Sequence, residues 1–249
     1  MTCQIPYALF YINYKIMNVK LSIILILFLL NILPIAAQQV KFGVEAGANL
    51  SHYLASQKHT AEQTGGMKAG FQVGATVDYE FKKHWTLSTG LTLLQNRSTM
   101  KFSPYMVTHF PKTDTKINNL ILPLKIGYNF HITERFCLMP SIGLYAAYGF
   151  SAGSSSLEIV QPDGEGARTE THQWNPMKGY SYPIEGSPNN AHALLTPFRH
   201  WEYGGTAGLK AIIAEHYTVS FNYMVGIKQV HDLLGLRNSN FQLNIGYRF

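Results

Sequence analysis

From Phe241 to Phe249 the sequence alternates without a break. Phe241, Leu243, Ile245, Tyr247 and Phe249 stand against Gln242, Asn244, Gly246 and Arg248. A period of two puts each set on its own face of a β-strand. The pattern recurs along the chain. "VKFGVEAGANLS" sets Lys41, Glu45 and Asn49 against Phe42, Val44 and Leu50. Between Ala69 and Phe81, Phe71, Val73, Ala75, Val77 and Tyr79 oppose Gln72, Thr76, Asp78 and Glu80. A third stretch starts at Trp85, a fourth runs from Leu120 to Phe130, a fifth from Phe136 to Phe150 and a sixth from Trp201 to Ile213. The seventh opposes Tyr217, Val219, Phe221, Tyr223, Val225 and Ile227 to Thr218, Ser220, Asn222 and Lys228. After residue 38 no segment of useful length has a period of 3.6.

Each stretch is roughly 10 to 14 residues long. Strands of ordinary sheets average about 5–6 residues, whereas a tilted strand needs about 9–11 to cross a bilayer. Connections alternate in length. "KKH", "HITER" and "AEH" make short turns, while residues 52–68, 96–115, 151–200 and those from Gln229 make long ones. A short-turn rim and a long-loop rim follow, as in outer-membrane barrels. Tyr79, Phe81, Trp85, Tyr128, Phe130, Phe136, Tyr217, Tyr247 and Phe249 fall at the short-turn ends, and Tyr148, Phe150, Trp201 and Tyr203 at the long-loop ends. Two aromatic belts flanking an apolar band suit a bilayer's two interfaces. In hydrocarbon an open sheet edge leaves backbone groups unpaired, so the sheet must close. The expected fold is all-β, an eight-stranded antiparallel up-and-down transmembrane β-barrel, and a monomer.

Eight strands leave an interior that side chains just fill. The polar faces supply Lys41, Glu45, Asp78, Glu80, Lys125, Glu202, Lys210, Lys228 and Arg248. Charges of both signs buried together are expected to pair, and the pairs to plug the lumen. A Lys or Arg turned instead to the lipid midplane would cost roughly 2–4 kcal/mol.

Charged residues make up only 14% of the chain, against about 25% in a soluble domain. The net charge of +6 is scattered, with no Lys/Arg run, which argues against a nucleic-acid partner. "MNVKLSIILILFLLNILPIAAQQ", from Met17, has the charged, apolar and small-residue order of a signal peptide, with cleavage expected after Ala37 and Met17 as the expected start. Cys3 lies within residues 1–37, the N-terminal extension and signal peptide together, so Cys137 is expected to be unpaired, a small buried hydrophobe.

Three segments resemble a known family. "FGVEAGANLSH" is similar to its opening strand, "NNLILPLKIGYNF" to its mid-barrel strand and "NIGYRF" to its closing strand. The chain thereby resembles, over about residues 40–249, the outer-membrane protein β-barrel domain family that includes PorT-like proteins. The terminal Phe249 also resembles the C-terminal aromatic by which outer-membrane barrels are recognised for insertion. The resemblance implies an outer-membrane location and a small barrel, but no reaction. The long segment 151–200 exceeds what the family leads one to expect.

That segment carries Trp174, Tyr180, Tyr182 and Phe198, with Trp201 just after it. Aromatic groups beside polar ones can form a protein- or glycan-binding surface, or simply pack the loop upon itself. His172, His192 and a carboxylate could hold a metal, but their spacing does not favour it. Ser51, His52, His109, Asp114, His172 and Ser239 lie on or near the long loops without forming a hydrolase motif. No cofactor and no enzyme activity are expected. The expected role is structural or binding, with membrane lipid as the first partner. The alternatives are a narrow pore, a soluble periplasmic ligand-binding barrel, and an outer-membrane hydrolase or acyltransferase.

Overall fold

Each alternating stretch forms a strand, and most run further than the alternation suggests. The computed structural model describes residues 39–55, 66–82, 84–101, 112–152, 155–163, 166–183, 192–231 and 235–249. The leader and its cleavage point lie outside the described residues. In chain order the strands are β1 (Val40–Ala55), β2 (Gly66–Phe81), β3 (Trp85–Lys101), β4 (Lys112–Tyr128), β5 (Phe130–Thr133), β6 (Phe136–Ala152) and β7 (Ser155–Asp163). They continue with β8 (Gly166–Trp174), β9 (Tyr180–Pro183), β10 (His192–Leu195), β11 (Trp201–Ile213), β12 (Tyr217–Gly226) and β13 (Leu236–Arg248).

Eight of them close a barrel in the order β1-β2-β3-β4-β6-β11-β12-β13, and β13 returns to β1. The closing pair is antiparallel, running in register from Gly43↔Arg248 to Ala55↔Leu236. The C-terminal alternating strand thus completes the ladder against the N-terminal one, and no barrel edge remains unpaired. Phe71, Val219 and Leu243 point outward with 60, 41 and 57% of their surface exposed. A soluble ligand-holding barrel would bury that face, so this alternative is set aside.

Three short turns join the strands at one end. Between β11 and β12, Ala214 and Glu215 both take positive φ, 50° and 64°, and the His216 N–H donates to the Ile213 carbonyl at 3.3 Å. Positive φ at both central residues marks a type I′ turn, without the Asn-Gly such turns favour, and the pairing Ile213↔Tyr217 leaves His216 as a third loop residue. Aromatic rings gather at this rim, with Trp85 5.2 Å from Tyr128 and Tyr247 5.3 Å from Phe249.

At the other end the strands overrun the bilayer. β3, β4 and β6 have 17 residues each. At about 3.3 Å per residue and a tilt near 40°, that is about 40 Å along the bilayer normal, against an apolar band of about 25–30 Å. The excess builds a second layer on the long-loop side. β7 pairs with the outer end of β4 (Lys112↔Glu158), β8 folds back on β7, and β9 and β10 form a separate hairpin. The described residues of segment 151–200, read from sequence as a loop, are therefore largely paired strand. Its alternation is short (Leu157, Ile159), and its apolar face is covered by residues remote in sequence.

Candidate functional site

The lumen is lined by side chains from all eight barrel strands. Asp78 on β2 and Lys210 on β11 meet across it at 2.9 Å, with side chains 3 and 8% exposed. The Ser88 hydroxyl donates to the other Asp78 oxygen at 2.6 Å. Nearer the short turns, Arg248 Nη1 reaches Glu80 Oε1 at 3.0 Å. Lys125 Nζ donates to Asn222 Oδ1 at 3.1 Å and lies in the field of Glu45. Lys41 lines a cavity of ≈ 190 Å³ at the short-turn mouth, beside Glu80 and Arg248. Cys137 lines it too, half-buried rather than sunk in a core.

Further up, amides take over from charges. Asn49 Nδ2 donates to the Gln95 carbonyl and to Asn240 Oδ1 at 3.1 and 3.2 Å, and Gln72 bonds Asn244. Glu202 is 5% exposed and accepts from the Tyr145 hydroxyl at 2.5 Å and from Asn238. Among the described residues it has no salt-bridge partner. Gly204, two residues on, admits the Tyr145 ring: a Cβ there would stand 2.7 Å from that ring and 2.1 Å from the Val225 carbonyl oxygen.

One of the nine expected lumen charges is elsewhere. Lys228 lies two residues past the end of β12, and its Nζ is 5.9 Å from the ring centroid of the outward-facing Tyr203. The alternation that would have turned it inward stops with the strand at Gly226. The lumen also holds an apolar layer that sequence reasoning missed, formed by Leu94, Ile121, Tyr145, Ala147 and Met224. The available signal was a break in alternation. Leu93-Leu94 and Leu120-Ile121-Leu122 are apolar on both faces.

Above this layer sits the external cap. Tyr53, Met100, Ile117 and Leu236, on the outer reaches of β1, β3, β4 and β13, pack with Leu157, Ile159, Trp174, Phe198 and Val230 in one buried cluster. Tyr53 and Phe198 rings are 5.4 Å apart. Among the described residues, two small voids of ≈ 10 Å³ each lie between cap and lumen, and Glu202 lines both. A void of that size has room for about one water.

The cap divides the five aromatic residues expected to form a binding surface. Trp174 and Phe198 are core, 6 and 3% exposed, because they supply the apolar face on which the hairpins close. Tyr180 and Tyr182 pack half-buried against that core. Trp201, 61% exposed, faces outward from the barrel wall with its ring 4.9 Å from Tyr148, in the outer aromatic belt.

The residues considered for chemistry are dispersed. Ser51 bonds the Arg97 backbone, Asp114 is bridged by Lys68, and Ser239 bonds the Tyr223 hydroxyl. His172 contacts Glu170 and Tyr180, and His192 contacts Ser181. His109 lies outside the described residues. Among the described residues no three His, Cys, Asp or Glu side chains converge on a metal-sized site. On the external sheet the Glu158 carboxylate, accepting from Lys112 Nζ at 2.7 Å, pushes that ammonium above its usual range.

The family model described as outer membrane protein beta-barrel domain matches residues 23–249. No curated protein matches the chain. Among solved structures it is similar to the attachment invasion locus protein Ail of Yersinia pestis, in complex with the heparin analogue sucrose octasulfate, at 14% identity. That match covers 85% of this chain and 99% of Ail, with a TM-score of 0.37. Outer membrane protein OprG from Pseudomonas aeruginosa is also 14% identical, covering 84% of this chain and 95% of OprG, with a TM-score of 0.41. Neisserial surface protein A is 11% identical, covering 84% of this chain and 97% of that one, with a TM-score of 0.40.

Proposed function

Because the chain belongs to the outer membrane protein beta-barrel domain family, its place is the outer membrane, and we propose that it works there as a non-conducting monomer that presents a folded external cap to a protein or glycan partner. The observation that carries this reading is the cap's buried core, which joins Trp174 and Phe198 to lumen-side residues of four barrel strands. A cap so rooted holds a fixed surface above the membrane. Among the described residues, two voids of ≈ 10 Å³ lie between the cap and the polar network and apolar layer beneath it. Single-channel recording in planar bilayers tests the closed lumen, and steady ion-sized currents would remove it. A pull-down from intact cells with the cap displayed on its own barrel tests the second half. Partners that bind equally to a barrel carrying short turns in place of 155–195 would remove the cap's role.

A narrow pore is the second reading. It is favoured by the ≈ 190 Å³ cavity at the short-turn mouth. A solute entering there meets the Asp78–Lys210 bridge and then Glu202. Currents that change when Glu202 is replaced by Gln would support the pore over the cap.

We infer a non-catalytic role from the separate engagement of Ser51, Asp114, His172 and Ser239. Hydrolysis of ester or peptide substrates by the folded protein, lost on replacing His172 or Ser239 by Ala, would overturn it. We also place the chain with the PorT-like members, on residues 42–52, 118–130 and 244–249. A phylogeny of the family that separates the two would remove that placement.

A further inference from the structure

The outward face of β3 and β4 changes character over a few residues. Leu91 and Leu93 on β3, and Leu122 and Leu124 on β4, are exposed to lipid. Leu93 pairs with Leu120, Leu120 with Tyr148, and Tyr148 with Trp201. This register row therefore carries the outer aromatic belt and marks the edge of the hydrocarbon. Beyond it on the same face comes the pair Gln95↔Asn118, then Arg97↔Lys116.

Arg97 and Lys116 thus stand directly opposite each other, two positive charges on one face. Like charges so placed repel. Among the described residues, the nearby acids are engaged elsewhere. Asp114 is bridged by Lys68, and Glu158 by Lys112 at 2.7 Å. Arg97 Nε is buried and has no hydrogen-bond partner among the described residues. The Arg97 backbone is pinned nonetheless. β2 slips out of register between Met67 and Gln72, and the Ser51 hydroxyl on β1 accepts from the Arg97 N–H and donates to its carbonyl, both at 2.7 Å.

Height matters as much as charge. Four residues past the Leu93↔Leu120 row is about 13 Å along the strand, or about 10 Å along the bilayer normal at a tilt near 40°. The polar layer on each side of the hydrocarbon is about 5–7 Å deep. Long basic side chains can reach back from just above that layer into it. We propose that Arg97 and Lys116 form a binding site for the phosphate group of an outer-leaflet lipid headgroup. A phosphate between them turns a repulsive pair of cationic side-chain ends into two charge-assisted hydrogen-bond donors.

The test uses the full-length protein in bilayers of phosphatidylcholine containing a diphosphorylated lipid A. Lipids retained on the folded barrel are counted by native mass spectrometry. The wild type is expected to retain the phosphorylated lipid in preference to phosphatidylcholine, with the preference falling as salt rises. Arg97→Gln with Lys116→Gln should lower that preference about 25-fold, roughly fivefold per charge. Arg97→Lys with Lys116→Arg should retain most of it, and Lys178→Gln, on the exposed cap turn, should leave it unchanged. Heat-modifiable gel migration establishes that each variant is folded. Absence of any preference in the wild type, or an unchanged preference in the folded double Gln variant, would overturn the proposal. So would saturation of the pair by inorganic phosphate without lipid enrichment, which would assign it to the free anion. If the double Gln variant does not fold, a wild-type preference indifferent to salt overturns the proposal by itself.

Discussion

Replacing Asp78 by Asn removes one charge from the centre of the lumen and leaves the packing almost unchanged. Lys210 loses a partner at 2.9 Å, while Ser88 keeps an acceptor at the same position. At an effective dielectric of about 20, unit charges 2.9 Å apart attract by roughly 6 kcal/mol. Desolvating the two ions offsets much of this, so the intact pair contributes little beyond an apolar pair of the same volume. The single substitution is another matter, because it strands Lys210 at 8% side-chain exposure with Lys125 repelling it from β4. The expected loss is about 3–5 kcal/mol for Asp78→Asn, and similarly for Lys210→Met. The double variant should recover most of that loss, ending within about 1–2 kcal/mol of the wild type. Urea titration of the barrel in phospholipid vesicles, followed by tryptophan fluorescence, measures all four corners of the cycle. If the two single losses add to within about 0.5 kcal/mol in the double variant, the charges act independently. The paired-lumen argument then fails.

Other substitutions probe the turn, the glycine and the cap. Ala214→Asn with Glu215→Gly supplies the residues a type I′ turn favours at φ values of 50° and 64°, and should raise stability by about 1–2 kcal/mol in the same urea titration. Gly204→Ala places a methyl against the Val225 carbonyl and the Tyr145 ring and should cost about 2 kcal/mol or more. Gly205→Ala, whose Cβ meets nothing within 4 Å, should stay within about 0.5 kcal/mol, and equal effects at the two sites would contradict the packing described. Trp174→Ala or Phe198→Ala should open the cap core at a cost of about 3–5 kcal/mol confined to the cap. Limited proteolysis should then cut residues 155–195 while heat-modifiable migration of the barrel persists. Simultaneous loss of both would show that cap and barrel fold as one unit.

The eight barrel strands, their two faces and the rim that carries each connection were legible in the amino-acid order. Side-chain direction in a strand is a local consequence of the pleat, so a period of two can be read without knowing any partner. The pattern failed where a strand ended, as at Lys228, and where apolar residues occupied both faces, as at Leu94, Ile121 and Met224. It was silent on the cap. Leu157 and Ile159 are too few to announce a strand, and their burial depends on Tyr53 and Leu236, remote in the chain and adjacent only after β1 and β13 have closed. Period and composition decided which solvent each face of the wall meets. Which charges meet across the lumen, and whether an aromatic of residues 151–200 is core or surface, depended on register and closure, because those contacts join residues that only the completed barrel brings within reach.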